Sequence, residues 1–181
     1  MIRLQTNDIK NEFIELVKDK SNYRFDKLTN QNFIEIQDCH FIADSPYIIQ
    51  HDKIIYNDDW YEINYDPLLT YNQFLKSVNN LVYDRYSRKS FMYMGDKIEN
   101  DPCTTGMQMI LDKDFRLNWI VNMRSNNIIK YTTDYKWQNS WFDHAVFMLN
   151  KRISCKIQKG IMYWNACSMH VYEEDFELLL K

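Results

Sequence analysis

Met107-Gln108-Met109-Ile110-Leu111 and Arg116-Leu117-Asn118-Trp119-Ile120-Val121-Asn122-Met123 flank the turn Asp112-Lys113-Asp114. Two apolar runs joined by a short acidic turn predict a β-hairpin. Working outward, residues 90–94 read as a short strand. Before it, Phe74, Leu75, Val78, Leu81 and Val82 recur at helical spacing in a helix opened by Thr70. Residues 33–42 form an Ile- and Phe-rich strand, and Thr6-Asn7 caps a helix whose apolar face is Phe13, Ile14, Leu16 and Val17. Residues 44–66 hold Pro46, Asp58-Asp59 and several aromatics and read as irregular. After the hairpin, residues 134–149 place Trp137, Trp141, Ala145 and Met148 on one helical stripe. Residues 153–157, 161–164 and 169–172 read as three short strands, and residues 173–180 as a closing helix. Helices and strands mix without a regular βαβ alternation, so the class expected is α+β.

A chain of 181 residues predicts a single domain over 1–181. With 22 Lys+Arg against 25 Asp+Glu, the net charge of −3 argues against a polymeric nucleic-acid partner, while a local anion pocket stays compatible with it. No apolar run reaches membrane-spanning length. The start, MIRLQTNDIKNEF, has no apolar core of a secretory leader, so a cytoplasmic protein is expected. Cys39, Cys103, Cys155 and Cys167 have no paired or metal-like spacing, and His40, His51, His144 and His170 are scattered. Cys39 and His40 point to opposite sides of a strand, so no metal is expected.

Four groups can carry chemistry. Cys103, just before a strand, is a nucleophile or a buried small hydrophobe. Arg124-Ser125 at a strand end offers a planar fork and a hydroxyl to an anion, or is a solvated terminus. Ser87-Arg88-Lys89 follows a helix and can simply complement its C-terminal dipole. His170 and Tyr172 share one face of a strand, where they bind a hydroxyl together or fill a core edge.

Taken in order, these pieces resemble the thymidylate synthase family. The segments are Ser87-Arg88-Lys89, Cys103-Thr104-Thr105-Gly106-Met107-Gln108, Asn122-Met123-Arg124-Ser125-Asn126-Asn127, Asp134-Tyr135-Lys136-Trp137-Gln138 and the run from Trp164 to Glu173. They are most similar to the phage deoxycytidylate/deoxyuridylate hydroxymethylase branch, in a shortened form, over residues 70–177 and more weakly over 34–44. The resemblance implies a mixed-sheet α+β fold with packed helices, paired sheet to sheet as a homodimer. It implies a one-carbon transferase that takes a pyrimidine deoxynucleotide monophosphate and 5,10-methylenetetrahydrofolate and leaves a methyl or hydroxymethyl group on carbon 5. In that scheme Cys103 adds to carbon 6, and Arg124 and Ser125 grip the phosphate together with Arg88 and Lys89 from the partner subunit. His170 and Tyr172 hold the deoxyribose hydroxyl, and Asp134 and Gln108 attend the base. A carboxylate accepts from the cytosine amine, so Asp134 favours dCMP over dUMP. The structural reading of Asp134 is a helix N-cap.

The chain also departs from the family pattern. The catalytic glutamate, expected three residues before Trp60, is replaced by Asn57, with Asp58 and Asp59 beside it. Asn127 stands where the family places an aspartate associated with the pterin, and Lys130 or Tyr131 where it places a glycine. The stretch near residues 60–65 is shortened, and the family's closing tail has no counterpart before Lys181. Three readings stay open: the transferase, a non-catalytic nucleotide-binding homologue or partner subunit without folate binding, and chemistry at Cys103 with a different donor or none.

Overall fold

A computed structural model describes residues 4–45, 66–94 and 102–180. The readings placed on Pro46, Asn57, Asp58, Asp59 and Trp60 lie outside these residues. The strands are β1 (Leu4–Gln5), β2 (Arg24–Asp26), β3 (Gln31–Ile42), β4 (Phe91–Tyr93), β5 (Thr104–Leu111), β6 (Arg116–Met123), β7 (Asn126–Asn127) and β8 (Gln158–Tyr172). The helices are α1 (Thr6–Lys18), α2 (Pro67–Tyr83), α3 (Tyr131–Asn150) and α4 (Phe176–Leu180). The strands form one mixed sheet in the order β1-β3-β8-β6-β5-β4, with β2 added to β3 and β7 to β8. The fold is mixed α+β.

The hairpin forms as its pattern predicts: β5 and β6 pair antiparallel with Leu111 opposite Leu117. Asp112 holds the turn, its carboxylate accepting from the N–H groups of Asp114 and Arg116 at 2.9 Å each. Phe115 takes a left-handed φ of 59° to close it. The helix read from Thr70 starts earlier, at Pro67. Asp66 caps it, accepting from Leu68 N–H at 2.9 Å and Leu69 N–H at 3.0 Å, and Pro67 at the first position loses no helical hydrogen bond. Its buried stripe is Thr70, Phe74, Ser77, Val78 and Leu81, while Val82 faces outward.

Two other expectations are corrected. The stripe of α3 is Tyr131, Gln138, Phe142, Ala145 and Leu149, so Trp137, Trp141 and Met148 are only partly buried. The helix turns Gln138 inward because its Oε1 accepts from the buried Trp119 indole at 3.0 Å. The three short strands are replaced by one long strand, β8, which begins only at Gln158. Residues 153–157 form a loop, closed by Asn150, whose side chain bonds both the N–H and the C=O of Ile157 at 2.8 and 2.9 Å. The Asn165–Ser168 stretch stays extended because β3 pairs with it along one edge, and Asn165 and Ala166 also pair with β6 on the other.

The core lies between the sheet and the helices. Trp119 stacks on Phe142 with ring centroids 5.7 Å apart, and Trp164 meets both Phe41 and Tyr131. α3 supplies the crossover that the parallel pair β6–β8 requires. The alternate residues of the sheet point away from the core. On that face Phe91, Tyr93, Ile110 and Ile161 remain between 37% and 54% exposed.

Gly160 lies where the β6–β8 register shifts between Leu117 and Trp119. A Cβ there would stand 2.6 Å from the Leu117 carbonyl oxygen and 2.4 Å from Asn118 Oδ1, which is bonded to Ile161 N–H. Gly160→Ala is expected to lower the unfolding free energy by about 1–3 kcal/mol, as overpacking against backbone does; urea denaturation checks this.

Candidate functional site

The ends of six elements, β2, β5, β6, β7, β8 and α3, converge on one cavity of about 400 Å³. β6 delivers Arg124 and Ser125 as it leaves the sheet. β5 starts beside it, and Arg124 N–H donates to the Cys103 carbonyl at 2.7 Å, which holds the thiol next to the guanidinium residue. β7 pairs with β8 so that Asn127 lies opposite His170. The first turn of α3 contributes Thr133 and Asp134, and the β2–β3 turn contributes Asp26, Leu28 and Thr29. Lys130, Asn126 and Tyr172 complete the lining.

Six of the expected residues thus meet: Cys103, Arg124, Ser125, Asp134, His170 and Tyr172. Ser125 Oγ and His170 Nδ1 share a hydrogen bond of 3.2 Å. The His170 and Tyr172 rings pack edge to face with centroids 5.3 Å apart. Three expected residues do not reach the cavity of their own chain. Gln108 lies on the face away from the core and donates to the Arg88 carbonyl at 3.2 Å. Arg88 and Lys89 are exposed beside it, and the Lys89 carbonyl accepts from Asn80.

Asp134 is not an N-cap. α3 begins at Tyr131, its cap position is Lys130 without a side-chain bond, and Asn127 caps the preceding turn through Ile129 N–H at 3.0 Å. The Asp134 carboxylate instead accepts from Asn126 Nδ2 at 2.7 Å. Asn126 is 2% exposed and its own Oδ1 has no hydrogen-bond partner among the described residues. A buried unpaired carbonyl costs about 1–3 kcal/mol, so holding Asp134 this way works against stability.

Burial pushes the Cys103 thiol above its ordinary range, and the Asp134 carboxylate adds to the effect; Arg124 and Lys130 oppose it. Burial lowers the His170 imidazole against the opposite pull of Glu35 and Asp26, so the ring is neutral near pH 7. A neutral imidazole, a hydroxyl and a phenol gather at one side, a thiol and a carboxylate at the other, with the cations Arg124 and Lys130 among them. Such a set can take an anion, a hydroxyl and a polar ring edge together.

Sequence reasoning assigned no role to Asp26, Thr29, Asn126, Lys130 or Thr133. Lys130 carried a signal: a cation at a helix N-terminus opposes the helix dipole. Asp26 carried none, because its partner Tyr172 is far along the chain. Among the described residues no three His, Cys, Asp or Glu side chains cluster as a metal site, and no helix is long and apolar enough to cross a membrane.

No family model matches the chain. It is 36% identical over 101 residues to the deoxycytidylate 5-hydroxymethyltransferases of Enterobacteria phages T4 and T2, and 35% identical to that of phage T6. The matched stretch is 55% of this chain and 40% of each relative, so the chain matches well under half the length of these curated proteins. Over that stretch, this chain is similar to enzymes named for hydroxymethyl transfer to a pyrimidine nucleotide.

Proposed function

We propose that the cavity binds a pyrimidine deoxynucleotide monophosphate, dCMP in preference to dUMP, and transfers a hydroxymethyl or methyl group to carbon 5 of the base. The observation that carries this is the meeting of Cys103, Arg124, Ser125, Asp134, His170 and Tyr172 in one cavity, drawn from four separate parts of the sequence. The likeness to phage deoxycytidylate 5-hydroxymethyltransferases supports it.

In this reading Arg124 and Ser125 hold the phosphate through charge-assisted hydrogen bonds. His170 and Tyr172 take the sugar hydroxyl. The Asp134 carboxylate, oriented by Asn126, accepts from the exocyclic amine of cytosine. The Cys103 thiolate adds to carbon 6, which makes carbon 5 nucleophilic toward a one-carbon unit. The carbon-5 proton is lost as the carrier of the one-carbon unit departs. A hydroxymethyl product then takes its oxygen from water, a methyl product takes a hydride supplied by the folate donor, and expulsion of the Cys103 thiolate restores the ring. Methylenetetrahydrofolate is the donor the family resemblance implies. Asn127 does not fit the pterin role: it is a neutral amide whose Oδ1 is already held by Ile129 N–H. No residue here is assigned to the donor.

Arg88 and Lys89 are assigned to the phosphate of a partner subunit. The outward face carrying Phe91, Tyr93 and Ile110 supports a homodimer joined through the sheets. Sedimentation velocity at micromolar concentration is expected to give a dimer, and a monomer there counts against this assignment.

A second reading, a nucleotide-binding homologue without turnover, is favoured by Asn127 and by the elevated Cys103 thiol. Tritium release from carbon 5 of labelled dCMP and dUMP, with and without methylenetetrahydrofolate, separates the readings. Release is expected from dCMP faster than from dUMP, and it is lost in Cys103→Ala while dCMP still binds. Release without folate points to another donor or none. Binding without release under either condition supports the second reading.

Asp134 should govern both selectivity and thiol reactivity. Uracil would set a carbonyl against the carboxylate, an unmade contact worth about 1–3 kcal/mol. Asp134→Asn should therefore move calorimetric preference from dCMP toward dUMP. Alkylation of Cys103 should accelerate as pH rises, because only the thiolate reacts and its proton is held above the ordinary range. Asp134→Asn removes a charge that raises the thiol and should shift this profile to lower pH. Lys130→Gln removes one that lowers it and should shift the profile to higher pH. Iodoacetamide labelling followed by mass spectrometry reads both.

A further inference from the structure

One carboxylate in the cavity has no part in the scheme above. Asp26 ends β2, and its Oδ2 accepts the Tyr172 hydroxyl at 3.1 Å. Its Oδ1 accepts Leu28 N–H at 2.8 Å, which fixes the carboxylate in the turn. The Thr29 hydroxyl interacts with both Asp26 and Tyr172. The backbone bond from Leu28 outweighs desolvation, and bonds from Thr29 and Tyr172 add to it, holding the Asp26 carboxyl below its ordinary range. An ionised carboxylate only accepts hydrogen bonds.

A phenol has a single proton to donate. Here that proton is committed to Asp26, so the Tyr172 oxygen meets a ligand through a lone pair. Any ligand group seated against it must supply a proton. A free hydroxyl can, and an ether or phosphate ester cannot. A phosphate at this point would also face the Asp26 charge.

We infer that Asp26 is a specificity-determining positioning residue, which turns Tyr172 into an obligate acceptor so that the cavity takes mononucleotides with a free 3′-hydroxyl and rejects 3′-blocked or 3′-linked nucleotides. This rests on the nucleotide reading of the cavity. Specificity here is a difference between affinities, produced by an unpaired acceptor and a repelled charge on the wrong ligand.

The substitution Asp26→Asn reverses the polarity of the contact. The amide oxygen can keep the bond to Leu28 N–H, which turns Nδ2 toward Tyr172 and frees the phenol proton for the ligand. The probes are dCMP, its 3′-O-methyl ether and deoxycytidine 3′,5′-bisphosphate, titrated by calorimetry against the full chain. The wild type should favour dCMP over both blocked ligands by about tenfold or more, the scale on which a site built for a hydroxyl rejects its absence. In Asp26→Asn the preference over the ether should fall to within about threefold, the size left when one such bond is no longer demanded. Tyr172→Phe should lose the same discrimination, and adding Asp26→Asn to it should change the ratio no further.

A purely structural Asp26 would lower all three affinities together and keep their ratio. An unchanged ratio in an Asp26→Asn protein that still binds dCMP overturns the inference. If that variant does not fold, an unchanged ratio in Tyr172→Phe overturns it instead. A wild type that binds all three ligands equally removes this inference and leaves the nucleotide reading intact. A wild type that does not bind dCMP removes both.

Discussion

β8 is hydrogen-bonded along both edges, to β3 on one side and to β6 and then β7 on the other. A strand in that position has no freedom of register, because a one-residue slip would exchange its two faces. Met162, Trp164 and Ala166 go to the core. The alternation changes phase between Ala166 and Met169, where β3 carries Asp38 at a left-handed φ of 54°, so that Met169 and Val171 go to the core and His170 and Tyr172 to the cavity. The same pairing that buries Trp164 against Phe41 and Tyr131 aims the two polar rings. Beyond that change of phase, core and site are the two faces of the strand.

The cavity forms where the neighbours of β8 change. β6 runs beside it up to Met123 opposite Ala166, and the chain then leaves the sheet through Arg124 and Ser125 before β7 resumes pairing at Met169. Backbone amides and side chains freed at such a break have to find partners. Asn127 caps the turn that follows, Asn126 binds Asp134, and Arg124 N–H closes on Cys103. The site is thus the set of bonds that carry the chain from β6 into α3.

Its electrostatics are opposed by construction. Asp134 raises the Cys103 thiol while Arg124 and Lys130 lower it. Asp26 and Glu35 pull the His170 imidazole upward, and burial prevails. Neutral donors beside fixed charges of both signs suit a ligand with an anionic end and a polar, uncharged remainder.

The sequence by itself determined the hairpin, the long β3, the α+β class and the grouping of Arg124-Ser125 and of His170 with Tyr172. Each rests on spacing within a few residues, where periodicity and turn chemistry act. It misjudged the start of α2 by missing the Asp66 cap, and it divided β8 because Asn165, Cys167 and Ser168 lack strand propensity. Pairing with β3, and at Asn165 with β6 as well, overrides propensity there. Tertiary structure alone decided that Gln108 faces away from the cavity, that Asp134 is held by Asn126 rather than capping its helix, and that Asp26 takes the proton of Tyr172. The last contact joins residues 146 positions apart. No local rule fixes such a pair, since it exists only once β2, β3 and β8 lie side by side.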